Sequence, residues 1–237
     1  MNEVVERVKL VFLVDNRCYN PELISTWGLS IFVETEHCTL LFDVNSEWSI
    51  VAHNANKLGI NINDVNYIVI SHWHGDHAGG LCDAIKYFKR IGKHIKIIIP
   101  SMRQVGEEVI IGNNPVKLSR GVLTTGSLGF ILKEQSLILN LRYYGPLVLV
   151  GCAHPGLRNI LRRVCSITGC RKIYGVLGGY HIGGYEAKDI AQLLESYGVE
   201  LIGPAHCTAN DAINYLARRF KDKFVKIYTG KKLELVS

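Results

Sequence analysis

The sequence predicts a mixed α/β protein in which two β-sheets are flanked by helices. Short apolar segments rich in Val, Ile, Leu and Phe, which are typical of buried strands, recur along the 237 residues. Strands dominate the first third of the chain, whereas later strands alternate with segments of helical spacing. The pattern alone would also permit a doubly wound sheet, so the choice between these two architectures stays open at this point.

The predicted strands are short runs bounded by Gly, Asn or other turn residues. Their branched and aromatic side chains favour extended backbone because they pack well on a pleated surface. The runs are Val8–Val14, Leu29–Val33, Thr39–Phe42, Tyr67–Ile70, Ile95–Ile99, Ser136–Leu141, Leu147–Val150, Lys172–Leu177, Leu201–Gly203 and Phe224–Tyr228.

Longer segments between these runs carry the spacing of amphipathic helices. Thr208, followed three residues later by Asp211, is a candidate N-cap for the last of them. The predicted helices are Glu47–Leu58, Leu81–Ile91, Leu157–Ile167, Ala187–Tyr197 and Ala209–Phe220.

Composition indicates a globular protein, because 48% of the residues are hydrophobic and 20% are charged. Neither a repeat nor a Gly/Pro/Ser-rich linker divides the chain, so we expect residues 1–237 to form a single domain. The segment Met1–Glu6 is acidic and lacks the apolar core of a signal peptide. No uncharged apolar run approaches the ~18 residues that span a bilayer. We therefore expect a cytoplasmic protein without a membrane segment.

The cysteine content and the net charge indicate whether disulfides are expected and which classes of partner the protein would bind. Seven cysteines without a secretory signal argue against a disulfide framework. The net charge of +6 favours anionic partners such as phosphate esters. Basic residues are scattered rather than clustered, which argues against nucleic-acid binding. We expect a phosphorylated small molecule as the partner; the sequence is compatible with a homo-oligomer but does not specify one.

Metal-binding residue types concentrate directly after the predicted strand Tyr67–Ile70. His72, His74, Asp76 and His77 follow one another within six residues. Imidazole nitrogen and carboxylate oxygen are the ligands that borderline divalent metals accept. His72 and His74 can reach one ion from a loop leaving the strand, and Asp76 and His77 can turn towards a second ion. The spacing predicts two divalent ions. We expect zinc, with manganese, iron and magnesium as alternatives.

This segment, HWHGDH at residues 72–77, resembles the HxHxDH hallmark of the metallo-β-lactamase superfamily. The resemblance covers nearly the whole chain and implies a four-layer αββα sandwich with a dinuclear metal site at one edge. Asp43, at the end of the early strand, resembles the aspartate that supports the metal loop from behind. His206, in the sequence GPAH, resembles the histidine of the last motif, which ligates the second metal.

The middle of the chain departs from the commonest family pattern. Many members have a strand ending in Gly-Asp, whose aspartate bridges the two metals, whereas here Val150 is followed by Gly151 and Cys152. The resemblance implies that His154 is the third ligand of the first metal. Cys152 is either a thiolate ligand, since a nearby metal lowers the pKa of a thiol, or a small packed residue.

Two further segments supply candidate substrate contacts. Four glycines surround Tyr180 and His181 within residues 178–184, which indicates backbone held close to a ligand. His181 is a candidate to orient substrate, donate a proton or complete the metal shell. Arg158 and Arg162 lie near the start of a predicted helix, where free amides also attract anions. The alternatives are a turn with an incidental histidine and two arginines on a solvated helix face.

The motifs SHWHGDHAGGL, GCAHPG, LGGYH and GPAHC together resemble the subfamily named for dihydropterin-(ribofuranosyl)aminobenzene 5'-phosphate synthase. The resemblance implies an enzyme that joins a pterin methyl diphosphate to an aminobenzene ribofuranosyl phosphate, with Asp76 and His181 as catalytic residues. The wider superfamily favours a metal-dependent hydrolase of a phosphodiester, thioester or lactone instead. A nuclease and a metal-binding module without catalysis are the remaining alternatives.

Overall fold

The structure, a computed structural model, describes residues 3–105 and 109–237, so Met1 and Asn2 of the N-terminal segment lie outside it. The strands in these ranges are β1 (Arg7–Val14), β2 (Ser30–Thr35), β3 (Thr39–Phe42), β4 (Tyr67–Val69), β5 (Lys96–Ile99), β6 (Val109–Ile111), β7 (Lys117–Ser119), β8 (Val122–Thr124), β9 (Leu137–Leu141), β10 (Gly145–Val150), β11 (Gly175–Gly179), β12 (Leu201–Ala205) and β13 (Lys232–Val236). The α-helices are α1 (Trp48–Lys57), α2 (Gly75–Ala78), α3 (Leu81–Arg90), α4 (Leu157–Thr168), α5 (Ala187–Ser196) and α6 (Asn210–Phe220). None of these helices has the length and apolarity needed to cross a membrane.

The strands form two mixed sheets. One sheet has the order β13-β1-β2-β3-β4-β5-β6, and the other has the order β12-β11-β10-β9-β8-β7. β1 and β3 are both antiparallel to β2, and β4 is parallel to β3. In the second sheet, β10, β11 and β12 are parallel to one another. Because parallel strands end at the same edge of a sheet, each sheet brings several loops together at its carboxyl edge.

Successive side chains of a strand enter different layers, because they point to opposite faces of the sheet. In β1, Leu10 and Phe12 lie in the core between the sheets, whereas Val11 and Leu13 pack towards α1 and α3. β10 alternates in the same way between the inter-sheet core and the layer of α4, α5 and α6. This arrangement confirms the predicted αββα sandwich.

The differences from the predicted elements lie mainly at sheet edges. The predicted strand Phe224–Tyr228 is wrong, because Phe224 makes an isolated bridge to Ile202 instead of a ladder. β13, which no predicted run covers, pairs with β1 in the other sheet. Thr208 is not the N-cap of α6, because its hydroxyl oxygen accepts the backbone N–H of Tyr180 at 3.0 Å.

Candidate metal centre

The candidate metal ligands lie on three loops that follow the carboxyl ends of strands. Residues 72–77 follow β4 of the seven-stranded sheet. Residues 152–154 follow β10, and His206 follows β12, both in the six-stranded sheet. The two sheets therefore each contribute side chains to one cluster.

One group of nitrogens comes from His72, His74 and His154. Nε2 of His72 lies 3.1 Å from Nδ1 of His74. The ring centroid of His154 lies 4.8 Å from that of each of the other two rings. Nε2 of His154 is buried and has no hydrogen-bond partner among the described residues. Burying such an atom without a partner is costly, so this nitrogen points to a ligand that would accept its lone pair.

A second group comes from Asp76, His77 and His206. Nε2 of His77 and Nε2 of His206 lie 3.0 Å apart. Oδ2 of Asp76 lies 3.2 Å from Nε2 of His206 and 3.8 Å from Nε2 of His77. His72 and His74 thus lie in one group, and Asp76 and His77 lie in the other.

The hydrogen bonds around His77 and His206 test whether these residues fit a metal. Nδ1 of His77 lies 2.7 Å from an oxygen of the Asp43 carboxylate, to which it donates when that group is ionised. Nδ1 of His206 donates to Oδ1 of Asn16 at 3.0 Å, and the Asn16 amide donates in turn to the carbonyl of His206. Both rings then carry their proton on Nδ1, so two Nε2 lone pairs face each other. A divalent cation would bind both, whereas two acceptors cannot bond to each other.

Asp43 lies fully buried behind the loop of residues 72–77. Its carboxylate accepts the backbone N–H and the hydroxyl of Ser71, each at 2.7 Å, in addition to the contact with His77. Because Ser71 gives its proton to Asp43, its oxygen accepts from Nδ1 of His72 at 2.9 Å. Burial raises the pKa of Asp43 to about 8 against the opposing hydrogen bonds of Ser71. The positive charge of a bound cation would shift this pKa back down.

Glu134 is a second buried carboxylate, and it holds the loop after β10. Its Oε1 accepts the backbone N–H groups of Cys152 and Ala153, and its Oε2 accepts that of His154, each at 2.9 Å. Burial raises the pKa of Glu134, although these three hydrogen bonds oppose the shift. No local motif surrounds Glu134, so the sequence does not identify it as part of the site.

Asp15 is a third buried carboxylate, and it holds the loop after β12. Its Oδ2 accepts the backbone N–H of His206 at 2.9 Å. The sequence contains a signal that would have found it: the apolar run of β1 ends in Asp15 just as the run of β3 ends in Asp43. One buried carboxylate thus supports each of the three ligand loops.

Left-handed backbone concentrates in the loops at this edge of the two sheets. A residue with a side chain rarely adopts a positive φ, and each instance costs about 1–3 kcal/mol. In the described chain the non-glycine residues with positive φ at the carboxyl ends of strands are Asp43 (62°), Asn45 (58°), Ala153 (58°), His181 (51°) and His206 (46°). The surrounding hydrogen bonds hold this unfavourable backbone in place, which is typical of functional loops.

The cluster has a buried floor and an open mouth. His72, His77 and His206 are buried, whereas His74 is exposed and the Asp76 side chain is 21% exposed. Burial, reinforced by neighbouring imidazoles, lowers the pKa of His72 and His77 well below the ordinary value. Both rings are therefore neutral near pH 7, which is the form that binds metals.

Asp76 and His154 determine the charge at the open side of the cluster. Burial favours a higher pKa for Asp76, but the neighbouring His206 and His77 outweigh it and hold this pKa below its usual range. Burial and the neighbouring His181 lower the pKa of His154 to about 4. At neutral pH the mouth thus offers an ionised carboxylate beside a neutral imidazole.

The sulfur of Cys152 lies between the two groups. It is within 4.8 Å of ligand nitrogens of His72 and His154, and equally of His77 and His206. Its distance to Nε2 of His77 is 3.3 Å. The hydrogen bond with Cys207, followed by burial, raises the pKa of the Cys152 thiol. A nearby cation acts in the opposite direction and favours the thiolate.

The predicted substrate contacts have different environments. The Tyr180 side chain is 2% exposed and donates to the carbonyl of Val176 at 2.7 Å, so the prediction that it binds substrate is corrected by its place in the core. His181 is exposed, with its ring centroid 4.7 Å from that of His154. Arg158 is exposed on α4, and its role stays a prediction.

Trp27 stands at the mouth and was not identified from the sequence. Its side chain is 65% exposed, and its ring centroid lies 5.3 Å from that of His206. An exposed indole beside a polar cluster offers a flat apolar surface for an aromatic ligand.

Comparisons with known proteins agree with this geometry. The curated protein 7,8-dihydropterin-6-methyl-4-(beta-D-ribofuranosyl)-aminobenzene-5'-phosphate synthase of Methanocaldococcus jannaschii is 24% identical, and the match covers 96% of each chain. An uncharacterized protein of the same organism is 23% identical over 92% of this chain and 97% of its own length. Both relatives match along nearly their whole lengths, so the similarity is not confined to the histidine motif.

A solved structure and a family model extend the comparison. The crystal structure of Tm1679, described as a metal-dependent hydrolase of the beta-lactamase superfamily, has a TM-score of 0.77 and 24% sequence identity, and the match covers 97% of this chain and 100% of that chain. This likeness confirms the fold. The family model described as metallo-beta-lactamase superfamily matches residues 28–137, which include the loop of residues 72–77. The chain therefore resembles the metallo-β-lactamase superfamily in its fold and in the segment that the family model matches.

Proposed function

We propose that this protein is a divalent-metal enzyme that joins two small molecules, of which at least one carries phosphate. The favoured pair is a pterin methyl diphosphate and an aminobenzene ribofuranosyl phosphate, by analogy with the synthase of Methanocaldococcus jannaschii. The observation that carries the proposal is the convergence of two ligand groups on the shared sulfur of Cys152 at an open edge of the sandwich.

The distances between the candidate ligands indicate which residues would hold each of two cations. His72, His74 and His154 would hold one cation. Asp76, His77 and His206 would hold the other, with Cys152 between the two. When bound, the cations would supply Lewis acidity and neutralise the charge of diphosphate oxygens.

Residues at the mouth would bind and orient the two substrates. Trp27 offers a flat surface on which a planar pterin ring would stack beside His206. His181 is exposed next to His154, where it would accept the proton released as the arylamine nitrogen attacks the pterin methylene carbon. Asp76 stays ionised, and its carboxylate would orient the two substrates.

Hydrolysis of a phosphoester is the second candidate, and the state of Asp76 favours it. A partly exposed carboxylate with a lowered pKa remains ionised near neutral pH, so it can accept a hydrogen bond from an attacking water. The same ligand cluster serves both reactions, because both develop negative charge on oxygen that must be stabilised.

An activity screen on the metal-loaded protein tests the proposal. The assay combines the pterin diphosphate with the arylamine ribofuranosyl phosphate and follows the joined product and released diphosphate by mass spectrometry. A parallel assay offers generic phosphodiesters. We expect the condensation product, and we expect His72→Ala to reduce its formation by about 100-fold or more. His94→Ala, an exposed histidine outside the cluster, is the matched control and should retain activity.

Each other outcome contradicts part of the proposal. Cleavage of phosphodiesters without condensation would overturn the synthase reaction in favour of a hydrolase. Unchanged turnover in His72→Ala would refute the assignment of the metal centre. Metal binding without turnover on any substrate would leave a non-catalytic metal-binding module.

A further inference from the structure

A cavity of about 500 Å³ lies beside the metal centre, between α4 and the turn of residues 128–134. Leu128 lines the side of the turn, and Pro155, the residue after His154, lines the end nearest the cluster. The remaining wall is formed by polar residues of α4, namely Asn159, Arg162, Arg163 and Ser166. One lining residue of the cavity, Pro155, therefore directly follows the candidate metal ligand His154 in the chain.

The polar wall is a regular feature of α4. Positions 159, 162, 163 and 166 follow the spacing i, i+3, i+4 and i+7, which places them on one face of a helix. The opposite face packs into the core through Leu157, Ile160, Leu161 and Val164. The packing of the apolar face thus fixes the direction of the two arginines.

The two guanidinium groups differ in how they are held. Nε of Arg163 donates to the carbonyl of Thr125 at 3.1 Å, and the side chain is half-buried. This contact fixes the planar group and leaves its terminal nitrogens for a ligand. Arg162 is exposed and has no hydrogen bond or ion pair with another residue of the described chain. One arginine is therefore preorganised, and the other is available to close over a bound group.

The charges of this cavity are of one sign. Two arginines line it without an aspartate or glutamate among the described lining residues. The hydroxyl of Ser166 adds a further donor. Paired guanidinium groups with a hydroxyl match the oxygens of a phosphate monoester, which accepts several charge-assisted hydrogen bonds at once.

We infer that this cavity is a subsite for a terminal phosphate monoester of the substrate, held by Arg162 and Arg163. The inference rests on the proposed function, since it assigns the far end of a substrate whose reacting end lies at the metal centre. Of the two arginines that the sequence suggested for anion contact, Arg158 and Arg162, it keeps Arg162 and pairs it with Arg163 in place of Arg158.

The position of the subsite defines the substrate further. Arg162 lies about 8 Å along α4 from Leu157, because each helical residue rises about 1.5 Å. The phosphate would thus lie along α4, away from the loop that carries His154, which fits a phosphate joined to the reacting group through a spacer.

The test measures binding of phenyl phosphate and ribose 5-phosphate to the full-length, metal-loaded protein by isothermal titration calorimetry. Arg162→Ala should weaken the affinity by about tenfold, the loss expected for one charge-assisted pair. Arg162→Lys, which keeps the charge but not the forked geometry, should give an intermediate loss. Arg171→Ala removes the same charge from an exposed position after α4 and should change the affinity less than about twofold.

Phosphate bound at the cations themselves would be common to all these variants, so the differences between them report on the cavity. Unchanged affinity in Arg162→Ala, an equal loss in Arg171→Ala, or no binding to the wild-type protein would each overturn the inference. A tenfold loss in Arg162→Ala in a protein that catalyses no condensation would overturn the proposed function alone. The two failures are therefore distinguishable.

Discussion

Glu134 accepts the backbone N–H of His154 at 2.9 Å across a separation of twenty residues. Its other oxygen accepts the two preceding N–H groups, so one carboxylate binds three successive amides of the loop after β10. The arrangement fixes the direction in which the side chains of Cys152 and His154 leave the backbone. Glu134 is therefore a positioning residue for two candidate ligands that it does not itself contact through their side chains.

Replacing Glu134 with Gln should weaken both metal binding and the fold. The amide keeps one acceptor oxygen, but its NH2 group would face a backbone N–H donor. We expect a loss of about 1–3 kcal/mol in the free energy of unfolding, as for other buried hydrogen-bonded groups left without a partner. Metal affinity should fall by about tenfold or more, which chelator competition would measure.

Glu200→Gln is the matched control for this substitution. Glu200 forms an exposed ion pair with Lys223 at 3.0 Å, and such pairs contribute little to stability. Equal behaviour of the two variants would show that the carboxylate of Glu134 has no positioning role.

Asp43→Asn should impair the second ligand group more than the first. Asp43 contacts the His77 ring directly, but it reaches the His72 ring through Ser71. An amide NH2 next to Nδ1 of His77 would favour the opposite tautomer and place a proton on the ligand nitrogen. We expect one of two equivalents of metal to be lost in a titration followed by elemental analysis. Asp83→Asn, an exposed residue paired with Lys86, should keep both, and equal loss there would contradict the assignment.

Cys152 should contribute to the pH dependence of metal binding above neutrality. The buried imidazoles are already neutral there because their pKa values are lowered, whereas the thiol keeps its proton because its pKa is raised. Binding through the thiolate must release that proton, so affinity should rise with pH. Cys152→Ser should release about one proton fewer per protein. Calorimetry in two buffers of different ionisation enthalpy would count the protons.

The exposed Cys82 provides the control for this experiment. Cys82→Ser should release as many protons as the wild-type protein. If Cys152→Ser did the same, the sulfur would be a packed residue and not a ligand.

Gly151→Ala should disturb His72 through Ser71. A Cβ atom at Gly151 would lie 2.3 Å from Oγ of Ser71 and 3.2 Å from Nδ1 of His72, so these side chains would have to move. We expect a loss of about 1–3 kcal/mol in unfolding free energy, as for other overpacked sites, together with weaker metal binding. Gly183→Ala, where the nearest atom is 4.0 Å away, should be tolerated. Urea unfolding of both variants would compare them, and equal stability would contradict the close approach.

Much of the fold could be predicted because its signals are local. β3 has the predicted bounds, and the predicted helices differ from the observed ones by one residue at one or both ends. β6, β7 and β8 were missed because each has three residues, too few to establish an alternating pattern. The segment after Phe224 has the composition of a strand, but it lies beside β12 without forming a ladder, which depends on the tertiary arrangement.

The residues of the candidate site also differ in whether the sequence alone identifies them. Residues 72–77 could be identified because four ligand types stand together in the sequence. Glu134 could not, since no local motif surrounds it and it acts on a loop that is 18 to 20 residues away. Asp15 was missed although it ends the apolar run of β1 as Asp43 ends that of β3, because the loop on which it acts lies 191 residues away. Tyr180 was misassigned because glycines around an aromatic residue indicate close backbone packing as well as they indicate a ligand.

The division of each ligand group between the two sheets has a mechanical consequence. His72 and His77 move with the first sheet, whereas His154 and His206 move with the second. Any sliding of one sheet over the other would change the geometry around both cations simultaneously. A cation in either position would link the two sheets through its ligands. A truncated chain with one sheet would therefore hold an incomplete set of ligands.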